Sequence, residues 1–127
     1  ESLKSGELSA LFVDDTIAAA MVLNHKCNEG YFEIDWKVPD DSSNILFVHA
    51  LGVMPDYQRQ GLAKIMVQEA IRAAKAAGQA AIRLDVLNGN IPARKLYESF
   101  GFEYRGTVKM FYEDTGWTDY LLYELVL

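Results

Sequence analysis

An apolar run, a glycine-bearing turn and a long amphipathic stretch follow one another between residues 45 and 77. This succession constrains the fold more than any other feature of the chain. Ile45 to Val53 is strongly apolar, bounded by a turn cluster at Pro39 to Asn44 and by Pro55, which is the pattern of a central strand. The chain then passes through Met54-Pro55-Asp56-Tyr57 and Gln58-Arg59-Gln60-Gly61 into a helix over Leu62 to Ala77. Leu62, Met66, Ala70 and Ala73 share one face of it, with Ala63, Val67, Ile71 and Ala74 alongside, as a 3.6-residue period requires. Gly78 stops the helix. Ala81 to Val86 then alternates, with Ile82, Leu84 and Val86 on one side and Arg83 and Asp85 on the other. A strand-helix-strand crossover is the expected outcome.

The flanking segments extend this frame. Leu8 to Val13 and Thr16 to His25 are apolar runs joined by Asp14-Asp15, which reads as a β-hairpin. Tyr31 to Lys37 alternates and reads as strand-like. Pro92 opens a second helix at a first-turn position, with Ala93, Leu96, Tyr97 and Phe100 as its apolar face and Gly101 at its end. Val108 to Tyr112 and Thr118 to Leu127 read as two strands around a polar turn. The class is therefore mixed α/β. The length of 127 residues suits one domain over 1–127, and a hydrophobic share of 50% supplies a core and argues against disorder. Twelve basic against eighteen acidic residues leave a net charge of −6, which disfavours a nucleic-acid backbone as partner and is compatible with an amine substrate. No apolar run approaches the roughly 20 residues that cross a bilayer, and no signal peptide is visible, so no membrane role is expected. Cys27 is the single cysteine, which excludes an internal disulfide and makes a cytoplasmic setting the default.

Two segments carry chemistry. A glycine-containing turn at a helix N-terminus exposes backbone N–H groups, and with the helix dipole these form an anion site suited to phosphate. At Gly61 this reading stands beside that of an ordinary strand-to-helix turn. The dinucleotide G-x-G-x-x-G and the triphosphate G-x-x-x-x-G-K-[ST] fingerprints are both absent. The second segment runs from Leu84 to Phe102. Asn90 is followed seven residues later by Tyr97, and then by Gly101-Phe102. Gln58-Arg59-Gln60-Gly61-Leu62-Ala63 matches a Q/R-x-x-G-x-G/A diphosphate loop, and the second segment matches N-x-x-A-x-x-L-Y-x-x-x-G-F. With both motifs in order, the chain resembles the GNAT superfamily of acyl-CoA-dependent N-acyltransferases from Leu8 to its C-terminus.

The resemblance implies a mostly antiparallel mixed sheet with a central splayed strand pair and flanking helices, and acetyl-CoA as cosubstrate with no metal. It implies that Leu51, Gly52 and Val53 offer main-chain hydrogen bonds to the pantetheine arm and acetyl carbonyl. Gly52 inside an apolar strand independently suggests a bulge, a close backbone approach or a packing glycine. The resemblance gives Arg59, Gln60, Gly61, Leu62, Ala63 and Lys64 the diphosphate, and Asn90 the pantetheine. Without it, Asn90 reads as a turn residue and Tyr97 as a core tyrosine; with it, Tyr97 is the general acid that protonates the leaving thiolate.

A neutral amine must lose a proton as it attacks the thioester. The family's protein N-terminal acetylating branch carries a Glu five residues before the Asn90 position, and Asp85 stands there, able to act through a water. A salt-bridged strand carboxylate is its other reading. His49 is the rival base. Glu33 and Asp35, beside Trp36, are candidates for the acceptor mouth or for a solvent face. His25 and Cys27 are too few for a zinc site. The acceptor is expected to be a small-molecule or peptide amine, and a non-catalytic CoA-binding or regulatory module is the alternative function. The family's opening strand and helices are expected to be missing, since at most Glu1 to Glu7 could remain of them and the chain starts on Glu rather than Met. An unpaired edge at Leu8–Val13, uncovered Ala10 and Phe12, and self-association as a homodimer follow from that expectation.

Overall fold

A computed structural model describes residues 2–5, 8–39, 44–58 and 61–127. The strands are β1 (Ser2–Ser5), β2 (Leu8–Val13), β3 (Thr16–Asn24), β4 (Ile45–Val53), β5 (Ala81–Leu87), β6 (Glu103–Tyr112) and β7 (Gly116–Val126). The helices are α1 (Leu62–Ala76) and α2 (Ile91–Ser99), and two short 3-10 turns lie at Glu29–Glu33 and Pro55–Tyr57. The strands form one sheet in the order β1-β2-β3-β4-β5-β7-β6. Every pairing is antiparallel except β4 with β5, which α1 connects as the crossover.

The sheet has a core on each face. Met66, Val67, Ala70 and Ala74 of α1 bury against Ala19, Met21, Ile82, Leu84 and Val86, and Tyr97 of α2 joins them. On the other face Tyr31, Ile45, Phe47, Val108, Met110 and Leu122 form a second cluster under the segment that follows β3.

Three features bear on the expectations above. Residues 31–37 are not a strand. Asn28 caps the 3-10 turn by accepting the Gly30 N–H at 2.9 Å, and Tyr31 is 1% exposed at the centre of the second core. There it stacks on Trp36 at 5.7 Å and meets Phe47 edge-on at 5.5 Å. Burial of these rings outweighs the alternation that suggested a strand. The outer edge of β2 is not unpaired either: β1 lies antiparallel to it, Ser2 opposite Leu11 and Ser5 opposite Leu8. Ala10 is 1% exposed, so it is covered, whereas Leu8 and Ile17 are 37% and 42% exposed. Residues 40–43 of the turn cluster, with Glu1, Gly6 and Glu7, lie outside the described residues.

Candidate active site

The site grows from an irregularity in β4. Ala20 pairs with Gly52 and Val22 with His49, so β4 carries one residue more than β3 across this step. That bulge bends the strand. On its other side β4 pairs with β5 only through Ile45–Ala81, Leu46–Ile82 and Phe47–Arg83. Beyond Phe47 the two strands separate, while β5 stays zipped to β7 from Ala81 through Leu87. The part of β4 from Val48 to Val53 therefore has a ladder on the β3 side alone. Gly52 is exposed, so the main-chain groups of this stretch that lack a β5 partner are open to water or to a ligand that pairs with β4 as a strand would.

A cavity of about 400 Å³ occupies this end of the gap, lined by Leu51, Gly52 and Val53, by Tyr57 and Gln58, by Gly61 to Lys64, and by Pro92, Ala93, Leu96 and Tyr97. Gly61 is the N-cap of α1, with φ +76° and ψ 12°, and no side chain caps the helix. The first N–H groups of a helix have no partner within it, so those of Leu62, Ala63 and Lys64 are donors to the cavity mouth. A Cβ at Gly61 would meet nothing within 4 Å, so a ligand can approach the backbone there. Uncapped N–H groups, the positive end of the helix dipole and an open glycine suit a diphosphate.

Tyr97 comes to the cavity on the apolar face of α2. It is 7% exposed and lies edge-on to Phe102 at 5.6 Å. Burial first, and the charge of Asp85 second, push its hydroxyl up to about 12, so it stays protonated and able to donate at neutral pH.

A second cavity, of about 320 Å³, is lined by His49, Asp85, Tyr112, Asp114 and Tyr120. Asp85 Oδ2 accepts the Tyr31 hydroxyl at 2.9 Å and the Tyr112 hydroxyl at 2.6 Å. Burial is the larger cause, and the Asp85 charge the next, of the upward shift of both tyrosines. Asp85 is thus no partner of a cation among the described residues; Arg83, two residues earlier on that strand face, pairs instead with Glu124 at 3.2 Å, both nearly fully buried. His49 Nε2 lies 2.8 Å from the Asn24 Oδ1 and 2.8 Å from the Lys26 carbonyl. A carbonyl only accepts, so this nitrogen carries the proton, and the ring is held in place as a structural histidine would be.

The structure thus gathers Leu51, Gly52, Val53, Gly61, Leu62, Ala63, Lys64 and Tyr97 around one cavity, while Asp85 lines the second one. Arg59 and Gln60 lie outside the described residues. Asn90 caps α2, its Oδ1 accepting the Ala93 N–H at 3.3 Å; it is exposed and does not line the cavity. Glu33 lines a separate cavity of about 630 Å³ with Trp117, which Asp85 does not line. The sequence does not single out Tyr112, Asp114 and Tyr120, nor the bond from Tyr31 to Asp85. No local motif marks them, because Tyr31 and Tyr112 reach Asp85, and Asp114 and Tyr120 its cavity, from segments far away in the chain. Among the described residues no three His, Cys, Asp or Glu side chains gather as metal ligands, and no helix is long and apolar enough to cross a membrane.

The description of the acetyltransferase (GNAT) family matches residues 6–102. The [ribosomal protein bS18]-alanine N-acetyltransferase of Escherichia coli K12 is 38% identical over 65 residues, which are 51% of this chain and 43% of that protein. A Bacillus subtilis protein provisionally named for the same activity is 31% identical over 87 residues, 68% of this chain and 54% of its own. The chain thus spans about half the length of these relatives. Among solved structures, the Escherichia coli ribosomal-protein-S18-alanine N-acetyltransferase superposes with a TM-score of 0.72 at 25% identity, over 98% of this chain and 68% of that one. A Bacillus subtilis acetyltransferase in complex with CoA superposes with a TM-score of 0.71 at 20% identity, over 94% of this chain and 76% of that one, which bears on the fold alone.

Proposed function

The chain belongs to the acetyltransferase (GNAT) family, and from that premise we propose that it moves an acetyl group from acetyl-CoA to a primary amine by direct transfer. The observation that carries the proposal is the open inner edge of β4, which leads from the uncapped N-terminus of α1 to the Tyr97 hydroxyl in one cavity. The N–H groups of Leu62, Ala63 and Lys64 receive the diphosphate, with Gly61 giving it room and Arg59 and Gln60 assigned there by the family motif. Leu51, Gly52 and Val53 hold the pantetheine and polarise the acetyl carbonyl. Asn90 caps α2 through its Oδ1 and is assigned to the same arm by the family motif alone.

The reaction then needs orientation and proton handling. The amine nitrogen attacks the thioester carbon, and the C–S bond breaks as the C–N bond forms. Asp85 takes the proton of the amine, directly or through a water. Tyr97 gives its proton to the departing thiolate. The products are an N-acetyl amide and free CoA thiol. His49 shares the Asp85 cavity and stays the rival base through its Nδ1, since its Nε2 is held by Asn24 and Lys26. The non-catalytic alternative is not favoured, since the named relatives are N-acetyltransferases.

The same relatives make a peptide N-terminal amine the leading acceptor, with small-molecule amines as the other class, in a cytoplasmic setting. The test is thiol release from acetyl-CoA with a panel that includes an alanine-initiated peptide, a polyamine, an aminoglycoside and free lysine, with the products weighed by mass spectrometry. We expect amine-dependent thiol release and an acetylated product. A chain that binds CoA and releases no thiol with any amine would contradict the proposal.

A further inference from the structure

We propose that Tyr31 and Tyr112 are positioning residues for proton abstraction, holding Asp85 by one oxygen so that the other is presented to the amine. This rests on the reading of Asp85 as the base. Both hydroxyls donate to Oδ2, at 2.9 and 2.6 Å, and Oδ1 has no hydrogen-bond partner among the described residues.

The rotation of a carboxyl group about its last bond is soft, so an unheld aspartate samples a broad arc. Two donors converging on one oxygen from different elements remove that freedom. Tyr31 arrives from the 3-10 turn after β3, fixed by its stack on Trp36 and by the Trp36 indole N–H donating to its carbonyl at 2.9 Å. Tyr112 arrives from the end of β6, fixed by edge-on contact with Tyr120 at 5.1 Å.

Neutral donors also suit the chemistry. A guanidinium would orient the carboxylate and neutralise it, weakening its pull on the proton of an amine. Such a group is close at hand in sequence, on the same face of β5, but Arg83 is engaged elsewhere. Glu124 takes its Nε at 3.2 Å, the Val38 carbonyl takes its other end, and Trp36 lies against it at 4.4 Å. Glu124 is locked in turn by the Lys37 N–H at 2.9 Å. The buried pair thus keeps the cation away from Asp85, and hydroxyls do the holding. Both tyrosines are shifted to stay protonated, so they remain donors wherever the enzyme works.

The ordinary reading is that two buried hydroxyls merely found an acceptor. A mutant cycle separates the two. Acetyl transfer and CoA affinity would be measured for the wild type, Tyr112→Phe, Tyr31→Phe, Asp85→Asn and the double variants with Asp85→Asn. Melting controls would confirm folding; should Tyr31→Phe fail to fold, the half-buried Tyr112 still carries the test. We expect Tyr112→Phe to lower kcat by about 10- to 100-fold, the scale of a misplaced catalytic group, with CoA affinity unchanged. In the Asp85→Asn background the same substitution should change kcat by less than about twofold, because nothing is left to position. Transfer by Tyr112→Phe at the wild-type rate, or an equal loss in both backgrounds, would overturn the positioning role while leaving the acetyltransferase reading intact. A wild-type chain that transfers nothing would overturn that reading and the positioning role together.

Discussion

Two glycines at opposite ends of α1 provide a matched pair for testing the cofactor site. Gly61 starts the helix at φ +76° and Gly78 follows its end at φ +70°, and a Cβ at either would meet nothing within 4 Å. Alanine at either position pays the same backbone strain, about 1–2 kcal/mol for an L-residue held left-handed. For a domain of this size that lowers Tm by roughly 3–10 °C. The two variants should melt alike, because neither methyl group clashes with the protein. They should differ in CoA binding. At Gly61 the methyl group stands where the diphosphate meets the N–H groups of Leu62 to Lys64, and each lost hydrogen bond to a charged group is worth about 1.5–3 kcal/mol. One lost bond therefore means about 10- to 150-fold weaker binding. The assay is isothermal titration of CoA into both variants at a temperature well below their melting points. Gly61→Ala should bind about 10- to 150-fold more weakly than Gly78→Ala, which should match the wild type. Equal affinities at equal stability would refute the placement of the diphosphate at this turn.

Tyr97→Phe removes a single hydroxyl, so turnover should fall about 10²- to 10⁴-fold while acetyl-CoA affinity holds; steady-state kinetics beside equilibrium binding would show an unchanged kcat if the thiolate leaves unaided. The Tyr97 hydroxyl titrates at about 12 when folded, against an ordinary value near 10, so the folded state holds its proton more tightly. The stability it contributes is full below pH 10 and is lost as pH rises toward 12, so unfolding curves across this window should decline less steeply in Tyr97→Phe than in the wild type. Glu124→Gln leaves the Arg83 cation buried with its charge partner gone, which should cost about 3–5 kcal/mol in denaturant unfolding; an unchanged midpoint would show that the pair is dispensable. At Gly30 a Cβ would crowd Met110 Cγ and lie 2.7 Å from Met110 Sδ and 2.8 Å from Val108 Cγ1, so Gly30→Ala should destabilise by about 1–3 kcal/mol in the same assay.

What was legible in the sequence was whatever local pattern governs. The hairpin, β4, α1, β5 and α2 follow from short apolar periods and from Asp14-Asp15, Pro55, Gly78 and Pro92 as punctuation, and they lie close to where those signals put them. Gly52 reads as a bulge, a close backbone approach or a packing glycine, and it borders the register shift between β3 and β4. The segment at 31–37 was misread because alternation alone carries no information about which aromatic ring a second core will bury. The strand at Ser2–Ser5 has too few apolar residues to announce itself, and its pairing with β2 is a tertiary fact. Asp85 was found by its place in a motif, but its environment was not. Its partners lie 54 and 27 residues away, and the diversion of Arg83 depends on Glu124 at a distance of 41. Charge pairing of that range leaves no local trace, so the sequence offers a salt bridge at this position and gives no sign of the two tyrosines that hold it.

The central claim is that one cavity brings the thiol end of CoA to Tyr97, with its diphosphate on α1. A crystal structure of the chain with CoA tests it most directly. The account predicts the diphosphate on the N–H groups of Leu62 to Lys64, the pantetheine along Leu51 to Val53, and the sulfur within hydrogen-bonding reach of the Tyr97 hydroxyl. CoA bound away from the gap between β4 and β5, or bound within it with its sulfur turned from Tyr97, would contradict the account.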